Sequence, residues 1–158
     1  MKKIKLTLIL LFAGILGQIT LSAKEPKTTM ELLTAHTWIW EATPAHYESG
    51  EFIGWFYILD NKTFSSSVRD IGSKPFNDIM YYYLSDKLEY KFDERKVGKV
   101  QNGKYVICAN MKNTEILVLY EIVELTDKVL KIKVLNASAG KRGGDNTETF
   151  LPYEGKLE

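Results

Sequence analysis

Two histidines are the first place to look for chemistry. His36 and His46 are the only ones among 158 residues, and Glu41 and Glu48 stand near them, so the residue types of a two-imidazole, one-carboxylate metal site are present. Their spacing speaks against it. Metal-binding histidine pairs come at helical or hairpin intervals, whereas an extended strand holds this pair about thirty ångströms apart at ~3.3 Å per residue, unless the turn at Pro44 folds the chain back. The expectation is that both are mostly exposed or individually hydrogen-bonded, far from Cys108, with no metal site.

A nucleophile fares no better. Cys108 sits in the apolar run Tyr105-Val106-Ile107-Cys108-Ala109, where a thiol acts as a small buried hydrophobe. Ser65-Ser66-Ser67 alternates faces in an extended run, so at most two of the three hydroxyls share a space. Asp93 and Glu94 are sequence neighbours that point apart on a strand, which favours solvated carboxylates over a glycosidase pair. A nucleophile, base and orienting acid do not converge in any of these. An enzyme would need acids, histidines or tyrosines gathered in one concave site, drawn from His46, Glu48 and Tyr81–Tyr83. We expect no such cluster, no catalytic residues and no cofactor.

What remains is aromatic. Trp38, Trp40, Phe52, Trp55, Phe56, Tyr57 and Tyr81-Tyr82-Tyr83 crowd into the first half of the chain. Trp38 and Trp40 project to one face of a strand, and Phe52 and Phe56 share a face of the next. Such rings either fill a core, each burying ~150–250 Å², or line an apolar pocket whose tyrosine hydroxyls orient a ligand. Trp38, Trp40, Phe52, Phe56, Tyr81 and Tyr83 are the candidate ligand-binding residues.

The elements that must position them are short and mostly extended. Thr28-Thr29-Met30-Glu31 has capping-box spacing ahead of Leu32 and Leu33 and predicts one short helix. β-type runs follow at Thr37 to Ala42, Phe52 to Leu59, Thr63 to Asp70, Asn77 to Leu84, Lys104 to Met111, Glu115 to Leu125, Val129 to Asn136 and Thr147 to Tyr153, with a weaker one near Tyr90 to Val100. Asp60-Asn61-Lys62, Asn102-Gly103 and Thr126-Asp127-Lys128 read as turns. In the run from Val129, Leu130, Ile132 and Val134 point inward, with Lys131 and Lys133 outward. Gly140 to Thr147 reads as a mobile hairpin tip, since it lacks the strand-loop-helix context of a phosphate loop. Connections this short leave no room for crossover helices, so the fold class is all-β, an antiparallel up-and-down barrel of about eight strands with a short N-terminal helix. A two-layer sandwich is the alternative.

Met1-Lys2-Lys3-Ile4-Lys5 and the uncharged run from Leu6 to Ile19 have the layout of a secretory signal peptide, with cleavage near Ala23. The run is shorter than the ~20 apolar residues of a spanning helix. The organisation is therefore a signal peptide at 1–23 and one barrel domain at 24–158, secreted or periplasmic, with no membrane anchor after cleavage. Cleavage removes three of the 21 basic residues and leaves 18 against 20 acidic ones, a formal charge of −2. That balance and the absence of a basic stripe argue against nucleic acid. The single cysteine precludes an internal disulfide and suits a bacterial envelope protein.

Several strings occur together in a familiar order. Leu32-Leu33-Thr34 before Thr37-Trp38, Leu59-Asp60-Asn61-Lys62-Thr63-Phe64, Tyr82-Tyr83-Leu84-Ser85 before Phe92-Asp93 and Lys96-Val97-Gly98-Lys99, and Tyr120-Glu121-Ile122 before Leu125-Thr126-Asp127 resemble exported lipocalin-like proteins of Bacteroidetes. The likeness runs from about Leu32 to Val134. Trp38 matches the tryptophan of the lipocalin Gly-x-Trp signature, while His36 stands where the glycine would be, and the arginine that often covers that tryptophan is unassigned. The resemblance implies a calycin-type barrel with a central cavity and names no ligand.

The functional expectation is a non-enzymatic binding protein that holds a small apolar or amphipathic ligand. The alternative is a protein-interaction module, an inhibitor or accessory subunit. It is motivated by Glu115 to Leu125, where Leu117, Leu119 and Val123 on one face oppose Ile116, Val118, Tyr120 and Ile122 on the other, so the outer face needs a cover, either the N-terminal helix or a partner protein.

Overall fold

A computed structural model describes residues 25–42, 46–48, 51–69, 76–115, 117–136 and 146–155, with backbone alone at 46–48, 51–52 and 76. The signal-peptide reading of residues 1–23 and most of the glycine-rich tip at Gly140 lie outside these. Helix α1 (Thr29–Thr34) precedes nine strands: β1 (Thr37–Trp40), β2 (His46–Glu48), β3 (Glu51–Leu59), β4 (Thr63–Arg69), β5 (Phe76–Ser85), β6 (Tyr105–Asn110), β7 (Leu117–Leu125), β8 (Leu130–Val134) and β9 (Thr147–Tyr153). No helix among the described residues is long and apolar enough to cross a membrane.

The strands form a closed antiparallel barrel of eight. Their order is β1-β9-β8-β7-β6-β5-β4-β3, and β1 closes the ring by pairing with β3, Trp38 opposite Tyr57. Strand β2 extends the ladder on β3 alone. Closure leaves the ring no free edge to template aggregation. Turn chemistry fixes the registers. Asp60 Oδ1 accepts the backbone N–H groups of Lys62 and Thr63 at 2.7 and 2.6 Å and joins β3 to β4. Thr126 Oγ1 does the same for Lys128 and Val129 between β7 and β8.

One end is sealed by the helix. The Thr28 hydroxyl accepts the Glu31 N–H, and the Glu31 carboxylate takes the Thr28 N–H in return, the capping box the sequence predicts. Met30 and Leu33 then enter the same buried cluster as Trp38, Leu59, Tyr82, Leu84, Val106 and Leu130. The segment after β5 anchors the plug: Gln101 O accepts the Met30 N–H at 2.9 Å and Asn102 Oδ1 the Thr29 N–H at 3.0 Å. Asn102-Gly103 therefore docks the helix and approaches Ser85 closely, beyond its role as a turn signal.

Three expectations need correction. Tyr90 to Val100 is not a strand; it belongs to a connection that carries a 3₁₀ turn, Glu94–Lys96, capped by Asp93. Its apolar residues Leu88, Phe92 and Val97 do not alternate, and they pack over Tyr83, Ile107 and Leu119 on the barrel's outside. That connection covers the outer apolar positions Leu117 and Leu119 of β7. Val123 also leaves the Leu117–Leu119 face, because a bulge between Ile122 and Glu124 breaks the alternation and leaves Val123 half exposed.

Candidate functional site

On five strands the inward-facing residues pass from buried to half-buried away from the helix, while Ile53 at the far end of β3 stays buried. From the helix end upward, β4 buries Phe64 and half-exposes Ser66 and Val68; β5 buries Tyr82 and Met80 and half-exposes Asp78; β6 buries Cys108 and half-exposes Asn110. Strand β1 buries Trp38 and half-exposes Trp40, and β9 buries Phe150 and half-exposes Glu148. Side chains that point into a barrel yet keep solvent contact mark an open mouth. The barrel is thus filled in its lower part, and the inward tier that keeps solvent contact at the end opposite α1 is termed its cup.

Aromatic rings make the floor of the cup. Tyr57 stacks on Phe150 with centroids 4.2 Å apart, and Phe64 stacks on Tyr120 at 5.3 Å. Trp55 and Trp40 rise above them as an edge-to-face pair at 4.9 Å, and the Trp55 Nε1 donates to Ser66 Oγ at 3.1 Å. The Tyr57 hydroxyl donates to Glu148 Oε2 at 3.4 Å. Burial pushes the Tyr57 phenol well above its ordinary value, and the Tyr120 hydroxyl and the Glu148 carboxylate push it the same way. Tyr120 is raised chiefly by burial. Both phenols therefore stay protonated and do not act as bases.

The six sequence candidates do not form one site. Trp38 and Trp40 face the interior, Trp38 wholly buried in the plug and Trp40 on the cup wall. Phe56 faces the other way: it is 0% exposed, lies over Gly54, and meets the Tyr153 ring edge-to-face at 5.3 Å. Phe52 keeps the same register parity, but its side chain is outside the described residues. Tyr81 and Tyr83 also face outward, because Tyr82 between them opposes Cys108 inside. The Tyr83 hydroxyl donates to Glu89 Oε2 at 2.9 Å, and Lys96 Nζ reaches both oxygens of that carboxylate at 2.7 Å, so Tyr83 belongs to the clamp on the β5–β6 connection.

Sequence reasoning missed Trp55, Tyr57, Asp78, Tyr120 and Glu148. The signal was available for Trp55 and Tyr57, which share parity with each other and oppose Trp38 once β1 is paired with β3. The acids carried none, being single residues on strands far apart in the chain. Tyr120 lies near both acids and Tyr57 near Glu148, and no histidine takes part among the described residues.

His36 departs from expectation as well. It is half-buried, edge-to-face with Trp38 at 5.3 Å, and its buried Nε2 has no hydrogen-bond partner among the described residues. The His46 side chain is outside the described residues. No group of three metal-ligating side chains occurs among those described. Cys108 is fully buried at an inward position; burial pushes its thiol up, and Asp78 adds to the shift.

Fold and site together define a closed, plugged eight-stranded barrel with an aromatic and acidic cup. Compared with known protein families, with curated proteins and with solved structures, the chain matches none.

Proposed function

We propose that this chain is an exported, non-enzymatic binding protein that takes a small amphipathic molecule into the cup, in the manner of a lipocalin-like barrel. One observation carries the reading: on β1, β4, β5, β6 and β9 the inward residues pass from buried to half-buried toward the same end, where Trp40, Trp55, Ser66, Asp78 and Glu148 stand. Concave sites that combine apolar walls with a few placed polar groups are the usual form of small-molecule sites. The raised phenols support binding over proton transfer at neutral pH, since neither offers a base. Export rests on the basic and apolar N-terminal segment.

The test is a titration of the purified protein with sub-micellar dodecanol, followed by tryptophan fluorescence and by native mass spectrometry. A saturable change with a one-to-one adduct is expected, and Trp40→Ala weakens it about tenfold, as the loss of a buried aromatic wall should. A flat titration with no adduct would refute the binding reading.

A further inference from the structure

We infer that the cup selects ligands whose polar head is a positively charged nitrogen, an alkyl or aryl ammonium, over carboxylate-headed amphiphiles of the same length. The inference rests on the binding reading above and adds the charge of the ligand.

The register supplies the first ground. Asp78 opposes Ser66, and Glu148 opposes Ile132, both at inward positions of the half-buried tier. Among the described residues no inward position of the eight barrel strands carries lysine or arginine; Lys131, Lys133 and Arg69 all fall on the outward parity. The strands therefore give the cup a negative field with no cation of their own, inside low-dielectric walls that strengthen it.

The second ground is the state of individual groups. Asp78 has no hydrogen-bond or ion-pair partner among the described residues, although it is close enough to raise both Tyr120 and Cys108. A half-buried carboxylate without a partner is a cost that a cationic ligand would offset. Tyr120 is 6% exposed, and its hydroxyl is hydrogen-bonded to that of Tyr57.

The third ground is aromatic. Trp40 and Trp55 pack edge-to-face with centroids 4.9 Å apart, and both keep solvent contact on the acidic tier. Indole faces attract ammonium groups within about 6 Å, and quaternary ammonium recognition uses aromatic rings. A carboxylate head in the same place would face Asp78 with like charge.

The experiment compares three probes of equal chain length, dodecyltrimethylammonium, dodecanol and dodecanoate, each below its micellar concentration, by tryptophan fluorescence at neutral pH and physiological salt. We expect the ammonium to bind about tenfold more tightly than the alcohol and the carboxylate most weakly. Asp78→Asn should shrink the ammonium-to-alcohol ratio about tenfold, whereas Asp93→Asn on the outer connection leaves that ratio unchanged. If all three bind equally, or dodecanoate binds best, charge selection is overturned while the binding reading stands. If none binds, both fall. The comparison of probes on the unaltered protein needs no variant, so a poorly folding Asp78→Asn does not blunt it.

Discussion

The indole Nε1 of Trp38 donates a 2.8 Å hydrogen bond to the carbonyl oxygen of Leu33, tying the first barrel strand to the helix that plugs it. The last carbonyls of a helix have no partner within it, and here a fully buried side chain supplies one. The matched tryptophan of the sequence is thus a joint between two elements, and its ring a part of the plug.

Trp38→Phe should destabilise the protein by about 2–4 kcal/mol, from an orphaned buried carbonyl together with a small cavity. Urea unfolding followed by circular dichroism measures it. A loss below about 0.5 kcal/mol would mean that the joint contributes little.

Acid stability should depend on Glu89. Burial pushes this carboxyl up, but hydrogen bonds from Lys96, Ser85 and Tyr83 outweigh it, and the net value lies below the ordinary 4.5. A carboxyl whose folded value is depressed stabilises the protein above its unfolded value, and that stability is lost as pH falls through the folded one. The loss therefore begins below about pH 4.5. Glu89→Gln should lower stability at pH 7 by about 1–3 kcal/mol and flatten the curve in the acid window. Asp60, depressed by the turn N–H groups it accepts, leaves a residual slope. Urea midpoints across the acid range, compared between the two proteins, decide this, and parallel curves would count against it.

Gly103 has no room for a side chain. A Cβ there would lie 2.6 Å from the Ser85 nitrogen and 2.9 Å from its carbonyl carbon and oxygen, all backbone atoms that cannot yield cheaply. Gly103→Ala should cost about 1–3 kcal/mol and loosen α1, because the neighbouring Gln101 and Asn102 hold that helix. Hydrogen exchange at Met30 N–H, whose partner is Gln101 O, should rise with it; unchanged protection would separate the two effects.

His36→Phe should keep or raise stability, by up to about 1 kcal/mol, since it removes a buried nitrogen without a partner and keeps the edge-to-face contact with Trp38. A thermal melt is sufficient. A drop larger than about 1 kcal/mol would show that the imidazole makes a bond that phenylalanine cannot.

The sequence by itself determined the local features. Alternation at Leu130, Ile132 and Val134 places those three toward the core, as in the barrel; the Thr28–Glu31 box makes the helix; and Asp60 makes its turn. Each depends on residues within a few positions of one another, where a side chain meets its own backbone or a fixed pleat. Closure into a barrel was legible as the way a short-turned meander removes its edges. Tertiary structure decided which face was inside. Tyr81-Tyr82-Tyr83 offers rings to both sides of its strand, and only pairing with β6 puts Tyr82 in the core and Tyr83 under the outer connection. It also decided the site. Asp78, Tyr57, Tyr120 and Glu148 lie on four strands, and what brings them together is the pairing of whole strands across the ring, a relation between distant segments that no local spacing encodes.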